Sequence, residues 1–153
     1  MSPPPSPGRF VFHSVWDLKA APSTLLDLLA DLETYPRWWP QVRRVERLDA
    51  GRAAVTIRSV LPVRLRLVLT REVEDRAAGE LRVRLSGDLD GYAVWRVVPV
   101  GAGCRLDYEQ VVDLRHPLLR HVVRLPAARA LLRANHAAMM RSVGAGLAGT
   151  TAR

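Results

Sequence analysis

The sequence predicts an α+β domain: one antiparallel sheet of seven strands with a long helix laid across its apolar face. Three observations lead there. Between Val42 and Leu114 apolar residues recur with a period of two, interrupted by turn signals at short intervals. Residues 127–148 instead carry a stripe at helical spacing: Ala128, Leu132, Asn135, Met139, Val143 and Gly146. Ahead of the alternating region stand one aromatic-rich strand and two short helical segments. Such a sheet and such a helix bury each other's apolar surfaces when the helix crosses the sheet.

Residues 1–9, MSPPPSPGR, hold four prolines and no apolar pattern, so they read as a disordered tail. A single domain is expected over 10–149, with a short tail at 150–153. FVFHSVWDL (10–18) reads as the first strand. Pro22 then opens a helix with Leu25, Leu28, Leu29 and Leu32 on one side. That helix is expected to end near Glu33, stopped by Tyr35-Pro36 because a residue before proline avoids helical geometry. Trp38 and Trp39 fall in a second short turn closed by Pro40. Their side chains diverge, so one is expected to line an interior space and the other to seal it or face solvent.

The remaining strands are expected near 42–49, 52–61, 63–74, 80–88, 92–99 and 104–114. Asp49-Ala50-Gly51, Leu61-Pro62, Ala78-Gly79, Asp90-Gly91 and Gly101-Ala102-Gly103 are the turn signals between them. These short connections imply antiparallel hairpins. In 63–73 the apolar set is Val63, Leu65, Leu67, Leu69 and Val73; in 81–85 it is Leu81, Val83 and Leu85. On the outer face Glu72 and Glu74 are expected near Arg82 and Arg84, cross-strand pairs worth ~0.2–1 kcal/mol each.

The net charge is +8, and Lys19 is the only lysine among 23 basic residues. Much of the arginine is interleaved with carboxylate on a solvated sheet face. That interleaving argues against a nucleic-acid surface, which needs a continuous basic stripe. Lone Cys104 excludes an internal disulfide and any multi-cysteine metal site. With no apolar leader and no run long enough to span a bilayer, the cytoplasm is the expected compartment.

Five stretches in this order carry a resemblance: FHSVWDLKAAP, LLADLETYPRWWPQV, GDLDGYAVW, LDYEQVVDL and NHAAMMRSVGAGL. Together they resemble the START-like (SRPBCC, Bet v 1-like) superfamily, in its bacterial polyketide cyclase/dehydrase and lipid-transport form, over residues 10–148. The resemblance implies a helix-grip fold, a curved seven-stranded sheet wrapped around the C-terminal helix with an apolar cavity between them. It implies a hydrophobic ligand such as a lipid or a polyketide; no cofactor is expected. Fold alone does not choose among functions.

Polar residues on the inward face are the informative ones. Alternation places Ser14 inward beside Phe12 and Trp16, Ser59 after Val55 and Ile57, and Arg71 after Leu69. Tyr108 and Gln110 fall inward between Leu106 and Val112, and Asn135 interrupts the helical stripe. Buried polar groups cost about 1–3 kcal/mol when unpaired, so these must meet one another, water or a ligand. The cavity candidates are therefore Trp16, Trp39, Ser59, Arg71, Trp95, Tyr108, Gln110, Asn135 and Met139. Of the histidines, His13 is expected outside, and His116 and His121 have no metal-ligand spacing. His136 adjoins Asn135 and is the one acid–base candidate, a half-buried helical histidine being the plainer reading. Asp17, Glu72, Glu74, Asp107, Glu109 and Asp113 are all expected outside, leaving no inward carboxylate pair. GAGLAG (144–149) matches a dinucleotide fingerprint in letters, but it closes a helix with no strand before it.

A carrier for a hydrophobic small molecule is the reading these residues favour. A polyketide aromatase/cyclase or dehydrase is the enzymatic alternative, and a ribosome- or nucleic-acid-associated domain a third. The basic amphipathic stretch RHPLLRHVVRL (115–125) raises transient contact with an anionic membrane, against the plainer reading of a connecting helix.

Overall fold

The computed structural model describes residues 8–58 and 63–151. The elements run β1 (Arg9–Leu18), α1 (Pro22–Ala30), α2 (Tyr35–Trp38), β2 (Val42–Asp49), β3 (Arg52–Arg58), β4 (Arg64–Asp75), β5 (Glu80–Gly87), β6 (Leu89–Val100), β7 (Gly103–Leu114), α3 (Leu119–Val122) and α4 (Pro126–Thr151). Among the described residues the seven strands form one antiparallel sheet in the order β1-β7-β6-β5-β4-β3-β2. Every neighbour pair except β1–β7 is sequential, so the sheet is a meander whose first strand returns to pair with the last. The sheet curves, and α4 occupies its concave side, burying Met139, Met140, Val143 and Leu147.

Three local expectations are corrected. Tyr35-Pro36 does not stop a helix; it starts one. α1 ends earlier, at Ala30, where Asp31 turns extended (φ −94°, ψ 90°) and its carboxylate accepts the Glu33 N–H. Tyr35 then adopts helical angles (φ −52°, ψ −42°), and Pro36 falls in the first turn, where no backbone donor is needed. The buried Tyr35 hydroxyl donates to the Leu29 carbonyl at 2.7 Å, clamping the residue in a conformation that its proline neighbour disfavours.

Asp90-Gly91 is not the β5–β6 turn. Both lie within β6, and the chain reverses at Asp88 instead. Asp88 N–H donates to the Arg66 carbonyl, and its carboxylate accepts the Arg66 N–H at 2.8 Å. Its own carbonyl accepts the N–H groups of Arg115 and His116. One aspartate thus fastens β4, the β5–β6 turn and the segment after β7 together.

The third correction is a bulge in β4 between Arg71 and Val73. The extra residue shifts the pleat, so Val73 pairs with Arg82 and Glu74 with inward Leu81. Arg82 still meets Glu72 on the outer face at 3.0 Å, whereas Arg84 takes Asp90 as its partner. Glu74 has moved to the inner side.

Candidate functional site

Between the sheet and α4 lies a cavity of about 190 Å³. That is room for about six waters at the ~30 Å³ each occupies in the liquid, far beyond a packing defect. Alternation built it: Val55, Leu67, Leu69, Leu81, Leu85 and Ala93 on successive strands all point into it.

Its two ends differ. Toward the β2–β3 and β4–β5 turns the wall is charged but internally paired. Arg47 meets Glu33 at 3.2 Å, Arg52 meets Asp49 at 2.7 Å, and Arg71 approaches Glu74 at 4.0 Å. Arg71 also donates to the Ala30 carbonyl and is exposed. It lies on the rim, not inside. Toward α3 the wall is apolar, with Phe10, Leu114, Leu119 and Leu132.

Inside, three polar side chains meet. Tyr108 donates its hydroxyl to Gln110 Oε1 at 2.6 Å, and His136 Nε2 lies 3.2 Å from the same oxygen. With that oxygen accepting, Nε2 carries the imidazole proton and Nδ1 is left as an acceptor. His136 stacks on Phe12 (centroids 3.5 Å apart, planes 8° apart). Burial pulls its pKa down to about 4, so it is neutral at physiological pH. Burial also raises the phenol pKa of Tyr108, and it is the largest influence raising that of Tyr35. Both phenols are therefore hydrogen-bonding groups and not phenolates. Asn135 sits one residue from His136 on the cavity wall, its amide directed to Met139 Sδ at 3.7 Å.

The structure thus brings Trp39, Trp95, Tyr108, Gln110, Asn135 and Met139 to one cavity, with Arg71 at its rim. Ser59 lies outside the described residues. Trp16 is a correction: it faces inward as alternation requires, but α4 covers it. A Cβ on Gly144 would lie 2.6 Å from Trp16 Cδ1, so the indole is wedged under the helix and does not reach the cavity. Ser14, next along that face, does not line it either. Trp38 and Trp39 are both buried, at 1% and 7% exposure, so neither faces solvent. Trp39 lines the cavity, while Trp38 seals the seam with α4, its backbone against Gly146.

Three contributors escaped the sequence reading. Tyr35 was read as a helix stop. His136 was given less weight than Asn135, although Leu132, His136, Met140, Val143 and Leu147 trace an equally good helical stripe. Glu74 was assigned outward, and a one-residue bulge leaves no mark in the alternation. Arg9, Arg82, Arg84, Arg96 and Arg105 each have a carboxylate partner. Arg43, Arg44, Arg58, Arg64 and Arg66 instead share a shallow depression on the outer face of β2–β4, with Glu46 their sole carboxylate there. Among the described residues no group of three His, Cys, Asp or Glu is placed to hold a metal.

A curved seven-stranded antiparallel sheet gripping a C-terminal helix over an apolar cavity defines the START-like, Bet v 1-like class. The chain belongs to the family described as polyketide cyclase / dehydrase and lipid transport, which matches residues 9–147. Solved structures of the same fold include the TTHA0849 protein from Thermus thermophilus (19% identity, TM-score 0.72, 92% of this chain and 99% of that one). A START superfamily protein from Mycobacterium smegmatis is 14% identical, with a TM-score of 0.73 over 92% and 96% of the two chains. The Zhui aromatase/cyclase from a Streptomyces species is 16% identical, with a TM-score of 0.74 over 95% and 94%. At these identities the likeness is one of fold. No curated protein matches the chain in sequence.

Proposed function

We propose that the protein binds and carries an apolar small molecule, lipid or polyketide-like, in the cavity between the sheet and α4. One observation carries the reading: a largely apolar interior that holds a polar cluster of Tyr108, Gln110 and His136. Apolar walls supply affinity, and a few convergent polar groups fix orientation. Trp39, Trp95 and Met139 are the wall contacts. The polar cluster takes a ligand oxygen, with Asn135 beside it, and Arg71 meets whatever reaches the rim.

Native mass spectrometry of gently purified protein should reveal a co-purifying apolar ligand. Displacement of that ligand by N-phenylnaphthylamine then gives an affinity for each variant. Tyr108→Phe and Gln110→Leu are each expected to weaken it about tenfold, the loss of one buried hydrogen bond of ~1.4 kcal/mol. Unchanged affinity in alanine variants of Arg71, Tyr108, Gln110 and Asn135 alike would remove the assignment.

The aromatase/cyclase reading gains one observation, a neutral histidine on the cavity wall. Yet a pKa of about 4 leaves His136 a weak base, well below the range in which general bases work best near neutral pH. That mismatch favours the carrier. Turnover of a poly-β-ketone substrate, abolished in His136→Gln, would reverse the preference.

A further inference from the structure

We propose that the elbow formed by α3 and the start of α4, residues 115–131, docks the protein on an anionic lipid bilayer at the apolar end of the cavity. The proposal gives the carrier reading a route for its ligand, but its contacts stand on separate observations.

The first is an apolar surplus. This segment already satisfies the core: Val123 is buried, and Leu119 lines the cavity. It nevertheless exposes Leu118 (60%), Leu125 (61%) and Leu131 (56%), with Val122 between them. A short element apolar on both sides has one side without a partner in the fold. The other exposed large apolar residues among the described ones, Val11, Val15, Leu48, Val98 and Val100, all lie on strands.

The second is charge. No Asp or Glu follows Asp113 in the sequence, while Arg115, Arg120, Arg124, Arg129 and Arg133 do. Arg115 has a distant carboxylate partner, Asp90 at 4.0 Å. Arg120 and Arg124 have none among the described residues. The Asp88 fastening brings more: it ties residues 115–116 to Arg66, on the strand that also carries Arg64. Arg64 stands directly opposite Arg58 on β3, a like-charge pair that is unfavourable without a counter-charge. This end of the molecule is therefore both basic and apolar.

The third is position. Leu119 and Leu132, the sequence neighbours of exposed Leu118 and Leu131, line the cavity. Exposed aliphatic side chains on a segment that also carries Arg115, Arg120 and Arg124, and no Phe, Trp or Tyr, suit a headgroup–acyl boundary. An acidic protein partner would instead favour aromatic and arginine anchors in a packed pocket.

The test is flotation with vesicles of phosphatidylcholine, with and without ~30% phosphatidylglycerol, at ~0.1 M and ~0.5 M salt. Expected is binding at least ~tenfold tighter to the anionic vesicles, lost at high salt. The pair Leu118→Asp and Leu125→Asp should weaken it at least ~tenfold while circular dichroism stays unchanged, because both side chains are exposed. Equal binding to neutral vesicles, no binding at low salt, or indifference to the leucine pair would overturn docking. So would association with an acidic protein in place of vesicles. Uptake of N-phenylnaphthylamine is measured in parallel. Uptake without vesicle binding sinks the docking and leaves the carrier standing; vesicle binding without uptake supports the docking and sinks the carrier.

Discussion

Gly146 offers a test in which two physical effects predict opposite signs. Glycine inside a helix costs about 0.8–1 kcal/mol relative to alanine, so propensity alone says that Gly146→Ala stabilises. The packing says otherwise. A Cβ there would stand 2.7 Å from the Trp38 carbonyl carbon and 3.1 Å from its Cα, with the carbonyl oxygen closer still. These are backbone atoms of a buried turn and cannot rotate away. α4 would have to retreat by about 1 Å, opening gaps around Val143 and Leu147, both fully buried. Overpacking of this kind costs about 1–3 kcal/mol, and the gaps add to it. After subtracting the propensity gain, a net loss of about 2 kcal/mol remains. For a domain of this size that lowers Tm by about 4–8 °C. Gly149→Ala is the matched control, since nothing lies within 4 Å of its Cβ position. It should raise Tm by about 2–4 °C. Thermal denaturation of the two variants beside the parent decides. A Gly146→Ala protein as stable as the parent, or more so, would refute the close seating of α4 on α2.

Other expectations follow from the cavity. The His136 pKa of about 4, against an ordinary 6.5, means that the unfolded chain takes up a proton first as pH falls. Stability from this group is full above pH 6.5 and lost progressively down to about 4, amounting to about 3 kcal/mol. Denaturant midpoints at several pH values should show that loss in the parent and a flatter acid limb in His136→Gln; parallel limbs would contradict it. Tyr35→Phe removes a buried donor from the Leu29 carbonyl and should cost about 1–2 kcal/mol in urea unfolding. Ala93→Leu fills space between Val83 and Gln110 on the neighbouring strands. It should cut naphthylamine uptake at least ~tenfold while leaving Tm unchanged or higher, since added bulk enters a void instead of a packed core.

The sheet was legible in the sequence because a period of two is a strong signal wherever one face is buried. Leu65, Leu67 and Leu69, or Leu106, Tyr108 and Gln110, announce their side without ambiguity. What alternation cannot give is depth. It placed Trp16 inward correctly but could not say that α4 would cover it. A slip of one residue is also invisible, which is why Glu74 was assigned to solvent. On α4 the same difficulty takes rotational form. Asn135 and His136 are 100° apart, and only the seat of the helix on Trp38 decides how much each reaches the cavity. Helical glycines in GAGLAG gave no warning of this role either, because close approach depends on what lies opposite. The Asp88 reversal was hidden by a stronger turn signal, Asp90-Gly91, three residues away. There the tertiary bonds to Arg66, Arg115 and His116 outweighed local preference.

The four tryptophans have an optical consequence. Trp95 contacts Trp16, Trp38 and Trp39 at 6.2–6.4 Å between ring centroids, and Trp38 and Trp39 are 5.9 Å apart. Tyr108, holding the polar cluster, touches Trp95 at 4.4 Å. At such separations excitation passes between neighbouring indoles before it is emitted, so the emission reports on the set jointly. Two of its members, Trp39 and Trp95, form cavity wall. The protein therefore carries its own unlabelled occupancy gauge: whatever enters beside one indole alters the emission of all four.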